Sequence, residues 1–220
     1  ERQKKSGDRC FVKAHEYLEN LYRHLESGHI ARTAPGIPEG LQNELADLNL
    51  LTAKPLLILA NVGDEGLTEK TTAGWQLVQQ AAAERGAGAL WLVAKLEADL
   101  WELAPDERAV FLDELGLKEP GLNRLVHESF KLLDLITFFT TTGKHEVRAW
   151  PVKRGTQAVQ AAGQIHTDME KGFIRAEVVA YNDLMQAGSF AAVPKLGLMR
   201  LQGRDYEVQD GDIIHFRFNV

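Results

Sequence analysis

Two short segments carry side chains suited to gripping a heterocyclic base. Asn61-Val62-Gly63-Asp64 and Val93-Ala94-Lys95 each follow directly on an apolar run, and they lie about thirty residues apart. A side-chain amide and a carboxylate at the end of one strand can hydrogen-bond the ring edge of a purine. A small residue at the end of the next strand lets its backbone amide approach the base, and a lysine stem can lie across the ring face. Taken singly, an asparagine at a strand end more often caps a turn, and Ala-Lys is an ordinary dipeptide. Their paired placement is what makes them a candidate site, because ligands in open α/β sheets sit at the carboxyl ends of the strands.

Other reactive side chains make weaker sets. His166-x-Asp168-x-Glu170 has the composition of a metal site or an acid–base pair, but no second ligand set lies near it in sequence. His and Asp at a helix end more often cap and turn the chain, so no metal site is expected. Lys144, Arg148, Lys153, Arg154, Lys171 and Arg175, with Phe138, Phe139 and Trp150 nearby, are candidates for an RNA-facing surface. The competing reading is core aromatics beneath a solvated basic edge. Cys10 is the single cysteine, which excludes an internal disulfide and points to a reducing compartment. It reads as an inert, half-buried thiol.

The elements that must position these residues follow from periodicity. Phe11, Ala14, Leu18, Leu21, Tyr22 and Leu25 recur at helical spacing over residues 8–27, with Ser27-Gly28 as the stop. A Pro- and Gly-rich loop then leads to a short predicted helix, Leu41 to Leu50. The unbroken apolar run Lys54 to Asn61, opened by Pro55, predicts a strand buried on both faces of a parallel sheet. A helix with Trp75, Val78, Ala82 and Ala83 inward and a second buried strand, Ala89 to Val93, complete a βαβ unit. Helices are predicted over Pro105 to Gly116 and Leu122 to Leu133, the latter with Leu125, Val126, Phe130 and Leu133 inward. A closing module then begins at Ile136. Strands Ile136 to Thr142 and His145 to Trp150 flank a Gly143-Lys144 turn, and Thr156 caps a helix Gln157 to Ile165. Strands Ile174 to Val179, Tyr206 to Val208 and Ile213 to Phe218 give an order like that of a ubiquitin-like β-grasp.

Composition narrows the classes. The 220 residues, 45% apolar and 25% charged, suffice for two cores. Residues 1–136 hold 15 Lys+Arg against 22 Asp+Glu, and residues 137–220 hold 10 against 9. An acidic first part and a nearly neutral second give no bulk nucleic-acid footprint. No apolar run is long enough to span a bilayer and the charged start is no secretory signal, so a cytoplasmic, soluble protein is expected.

The two base-gripping loops are placed as in P-loop GTPases, which use Asn-Lys-x-Asp and Ser-Ala-Lys. One family is resembled along essentially the whole chain, the YchF / Obg-like ATPases. The resemblance is carried by Leu51-Thr-Ala-Lys-Pro-Leu-Leu-Ile-Leu-Ala-Asn-Val62, Glu119-Pro-Gly-Leu-Asn-Arg124, Leu135-Ile-Thr-Phe-Phe-Thr140 and Glu146-Val-Arg-Ala-Trp150. It continues through Ala161 to Arg175, with Gln-Ile-His166-Thr-Asp-Met-Glu-Lys-Gly172 at its centre, and ends in Asp210-Gly-Asp212 and Phe218-Asn-Val220.

The resemblance implies an α/β fold in three parts. These are an incomplete P-loop NTPase domain with a parallel sheet (49–135), a partial helical, coiled-coil insertion with its linker (1–48), and a β-grasp TGS domain (136–220). It also implies hydrolysis of ATP with Mg²⁺ and association with ribosomes or ribosomal RNA. Asn61 matches the family's base-reading asparagine, Val62 stands where GTPases carry lysine, and Asp64 stands where the family carries glutamate, with Ala94 and Lys95 from the second loop. Asp64 is the shorter carboxylate with which guanine-reading enzymes meet the N1–H and 2-amino donors, so GTP is expected beside ATP. No Gly-x-x-x-x-Gly-Lys-Ser/Thr loop occurs in the 220 residues. The family places that loop before the helical insertion, so the chain is expected to be a C-terminal portion without catalytic residues and inactive in hydrolysis by itself. The alternative is a ribosome- or RNA-binding module with no NTPase activity of its own.

Overall fold

The computed structural model describes residues 9–38, 40, 48–63, 73–142 and 146–219. They fall into two compact units, Glu1–Leu132 and Leu133–Val220. Asp64, Lys144 and most of the predicted helix Leu41 to Leu50 lie outside the described residues.

In the first unit, helix α1 (Arg9–Glu26) forms where its periodicity predicts and stops at Gly28, whose φ of 84° is left-handed. Its apolar stripe is largely uncovered. Leu21 is 5% exposed, whereas Phe11, Leu18 and Tyr22 stay in water. Strand β1 (Leu57–Asn61) pairs in parallel with β2 (Gly88–Leu92), with Asn61 opposite Leu92. Helix α2 (Ala73–Glu84) lies between them in sequence and buries Ala82. Ala83, expected inward, is exposed. The expectation that β1 is buried on both faces also fails, since Leu59 is 42% exposed. The described sheet has only two strands, so β1 has no described neighbour on its other edge.

After β2 the chain turns straight into helix α3 (Ala94–Glu102), followed by α4 (Pro105–Glu114) and α5 (Gly121–Leu132). Helix α4 starts at a proline, and Glu107 accepts the Ala104 N–H at 3.2 Å. Val93, Leu96, Leu100 and Leu112 form the core beneath these helices, with Val62, Leu103, Leu115 and Leu117 against it. Burying a leucine such as Leu100 contributes about 1.5–3 kcal/mol. In α5, Val126, expected inward, is exposed instead.

The second unit is a five-stranded mixed sheet with helices. Its elements are β3 (Leu135–Thr142), β4 (Glu146–Lys153), α6 (Ala158–Ile165), α7 (Thr167–Lys171), β5 (Phe173–Ala180), α8 (Tyr181–Ala187), β6 (Arg200–Gln202) and β7 (Asp212–Phe218). The strand order is β4-β3-β7-β5-β6, with β3 and β7 parallel and the other neighbours antiparallel. Pro151 is tolerated because β4 is an edge strand. Ile136, Phe138, Val152, Ala158, Ala161, Ala162, Ala176, Val178, Ile214 and Phe216 make one core. Phe138 and Phe216 meet edge-to-face at 6.0 Å. On the opposite face Val179, Leu184, Val193 and Ile213 make a second.

Two local expectations are corrected here. Thr156 does not cap α6; its hydroxyl donates to Lys153 O at 2.6 Å, and Gln160 accepts the Gln157 N–H. Tyr206 to Val208 is no ladder strand, only a bridge from Glu207 to Gln157. The edge strand beside β5 is β6 instead.

Two contacts close this unit. Asp212, 1% exposed, accepts hydrogen bonds from Arg200 Nη2 (3.2 Å), Tyr206 O–H (2.8 Å) and Gln209 N–H (2.9 Å). Burial, then the Asp212 carboxylate, pushes the Tyr206 phenol up to about 12. Gly172 pairs with the last strand through Asn219 N–H to Gly172 O at 2.9 Å. A Cβ there would stand 1.8 Å from Asn219 O, so the Lys171-Gly172-Phe173 and Phe218-Asn219 segments fit only with glycine.

Candidate functional site

Parallel pairing with Asn61 opposite Leu92 ends both strands at one level. The ladder runs one step further, since Val62 N–H donates to Leu92 O at 2.9 Å. At that level Asn61 Oδ1 accepts the Ala94 N–H at 3.0 Å. Val93 caps α3 without a side-chain bond. Ala94 N–H is one of the donors that a helix start leaves unpaired, and the asparagine of the neighbouring strand supplies its acceptor.

The five residues picked from sequence divide accordingly. Asn61, Ala94 and Lys95 are brought together and exposed. Val62 is half-buried and packs on the Val93–Leu100 core, so its side chain supports the bend from below. Asp64 lies outside the described residues. One expected role changes hands. Ala94 N–H is already bound to Asn61 and is not free for a ligand, whereas Lys95 N–H makes no hydrogen bond among the described residues. What Ala94 and Lys95 form is the first turn of a helix, not a loop, and its positive end favours acceptor atoms. Together these groups offer the Asn61 Nδ2 donors, the Lys95 amide and the Lys95 ammonium on one exposed ledge.

The six basic residues do not form one surface. Arg148 lies opposite Thr140, on the face that carries Phe138, while Arg175 lies opposite Arg217, on the other face. Arg148 is paired with Glu146 at 2.7 Å and Arg154 with Asp134 at 3.3 Å. Lys153 donates to Leu133 O. Lys171 is exposed on α7, and Lys144 lies outside the described residues. Arg175 shares Glu177 with Arg217, at 3.5 and 3.0 Å. The Arg217 hydrogen bond holds the Glu177 carboxyl below its ordinary value. Alternation puts His215 and Arg217 on one face of β7, and the pairing with β5 is what sets them beside Arg175. His166 caps α7, its Nδ1 accepting the Asp168 N–H at 3.2 Å. Among the described residues no group of three His, Cys, Asp or Glu side chains could hold a metal ion. No described helix is long and apolar enough to cross a membrane.

The comparisons with known proteins converge. A family model described as YchF-GTPase_C, a protein of unknown function (DUF933), matches residues 135–219. The chain is 42% identical over 217 residues to the ribosome-binding ATPase YchF of Bacillus subtilis, covering 98% of this chain and 59% of that protein. It is 41% identical over 216 residues to the ribosome-binding ATPase YchF of Pasteurella multocida, with 98% and 58% covered. The structure of the Schizosaccharomyces pombe YchF GTPase superposes with a TM-score of 0.77 at 29% identity, covering 92% of this chain and 53% of that one. The chain thus spans about three fifths of the length of the curated relatives it matches.

Proposed function

From a chain that belongs to the YchF family, we propose that residues 49–132 form the base-holding side of a purine nucleotide site. Asn61, Lys95 and Asp64, three residues after Asn61, contact the ring, with Val62 and Ala94 as their supports. The observation that carries this reading is the Asn61 Oδ1 to Ala94 N–H bond at 3.0 Å, which joins the two strand ends into one ledge. The ligand is ATP, or GTP through Asp64. The relatives' names divide the same way, ATPase for the bacterial proteins and GTPase for the yeast one.

Hydrolysis by a YchF-type protein calls for a phosphate nest and a hydroxyl on Mg²⁺, and the 220 residues contain no phosphate-loop motif. No described cluster fits Mg²⁺, so we assign no catalytic step to these residues. Their part is to bind and orient the base. Residues 133–220 act as a TGS-type β-grasp module, a reading supported by the β4-β3-β7-β5-β6 order with α6 packed into the core. With the exposed stripe of α1 as a helical arm, this module meets the ribosome or its RNA in the cytoplasm, as the names of the bacterial relatives suggest.

Equilibrium dialysis of the chain against millimolar ATP and GTP tests the base site. Asn61→Ala removes both the ligand donor and the cap of α3, and is expected to weaken binding about tenfold, a loss of roughly 1.4 kcal/mol. Equal binding by Asn61→Ala, Lys95→Ala and the unaltered chain would exclude the site. Co-sedimentation with ribosomes tests the partner.

A further inference from the structure

The base ledge is bolted to helix α5 by contacts that no binding role requires. Glu97, one turn beyond Ala94, sends its carboxylate to the start of α5, where Oε1 accepts the Gly121 N–H at 2.6 Å and Oε2 the Leu122 N–H at 3.1 Å. Both oxygens thus satisfy donors that the helix start would leave open, with negative charge at its positive end. Gly121 is buried, and a Cβ on it would lie 2.6 Å from Glu97 Oε1 and 3.0 Å from Leu92 Cβ. One turn later Arg124 donates to Trp91 O at 3.2 Å and lays its guanidinium 4.8 Å from the Trp91 ring centre. Residues 91–97, which carry Ala94 and Lys95, are therefore gripped at both ends by the first turn of α5. The Glu119-Pro-Gly-Leu-Asn-Arg124 segment finds its physical role in this bracket.

We propose that Glu97 is a positioning residue of the purine site, and that filling the site is thermodynamically linked to the seating of α5. This inference rests on the base-site reading above. The first turn of α3 holds the Lys95 amide and ammonium, and among the described residues its side-chain hydrogen bonds to a second helix come from the Glu97 carboxylate. A base that settles on Lys95 favours one placement of that turn. The bidentate bond passes the same preference to Gly121 and Leu122, and linkage makes the effect reciprocal.

Amide NMR of the 220-residue chain titrated with adenosine to millimolar concentration tests it. Lys95, Gly121 and Leu122 are expected to shift along one saturation curve. In Glu97→Gln a carboxamide offers one acceptor and points a donor at the second N–H. Affinity is expected to fall about tenfold, within the usual range of coupling, and Gly121 and Leu122 to stop following the ligand. Leu125→Ala, which loosens α5 without touching the bracket, should weaken binding in the unaltered chain and leave it unchanged in the Glu97→Gln background, where the link is already cut. Unchanged affinity in Glu97→Gln, an equal loss from Leu125→Ala in both backgrounds, or silence of Gly121 and Leu122 while Lys95 shifts would each overturn the linkage and leave the base site standing. Silence of Asn61 and Lys95 in the unaltered chain would overturn both.

Discussion

Substituting Gly172 by alanine isolates a steric lock. The added Cβ would lie 1.8 Å from Asn219 O, roughly 2 Å short of an ordinary contact. The obstacle is backbone and cannot rotate away, so the end of the last strand must lift and give up the Asn219 N–H to Gly172 O bond. Overpacking of this kind costs about 1–3 kcal/mol. The ceiling here is what the final residues contribute, roughly one hydrogen bond of about 1 kcal/mol plus local packing. Gly172 has φ −89° and ψ 9°, which alanine adopts freely, so no backbone strain is added. We expect Gly172→Ala to destabilise the second unit by about 1–2 kcal/mol. In a chain shortened to end at Phe218 the same substitution should be neutral, or stabilising by about 0.4–1 kcal/mol through the unfolded state. Urea denaturation followed on the β5 and β7 amide resonances reads this unit alone. An equal loss in both backgrounds would refute the steric account.

Asp212→Asn replaces one acceptor oxygen by a donor, which then meets either Arg200 at the Oδ1 position or Tyr206 O–H and Gln209 N–H at the Oδ2 position. Because Arg200 is partly solvated, the loss is expected near 1–3 kcal/mol rather than that of a fully buried ion pair. Tyr206, at about 12 in the native unit, should titrate lower in that variant, measured by phenolate absorbance. Burial remains its leading cause, so the value stays above the ordinary 10.0. Its raised value stabilises the fold fully below pH 10, and that part is lost as pH rises toward 12. Glu177 works in the opposite sense. Its lowered value gives stability present above the ordinary 4.5 and lost as pH falls through the native value. Arg217→Ala should therefore reduce the melting temperature at neutral pH, with the difference closing in acid. For base preference, Asp64→Glu in a full-length relative carrying Asp64 is expected to shift the ratio of GTP to ATP affinity toward ATP, measured by competition binding; an unchanged ratio removes Asp64 as the discriminator.

The parts of the fold that local chemistry dictates were legible in the sequence. The apolar run opened by Pro55, the Gly28 stop, the Pro105 start and the alternation of β5 and β7 each act within their own segment. What was missed depends on distant partners. Helix α3 carries no N-cap side chain of its own, because Asn61, thirty-three residues earlier, caps it; its start was read as a loop. Thr156 looked like a cap, but its hydroxyl closes the turn behind it. Strand β6 has three residues and no alternation to count. The pair Asn61 and Ala94 was legible because strand ends are. The unavailability of the Ala94 amide was not, since which donor an asparagine satisfies is decided only when the strands pair. The basic residues were legible as a composition but not as a surface, because sequence does not say which face of the sheet each will occupy.

An asparagine amide is two-headed, and free in solution either head can turn toward a visitor. Here the oxygen head is committed to the chain itself, so the nitrogen head alone is shown outward. Such a group greets hydrogen-bond acceptors and repels donors. Both adenine and guanine display an acceptor at N7, so Asn61 would welcome either and rank neither. Discrimination must then come from a neighbour able to accept, and tuning Asn61 would alter how tightly a purine is held without altering which one is chosen.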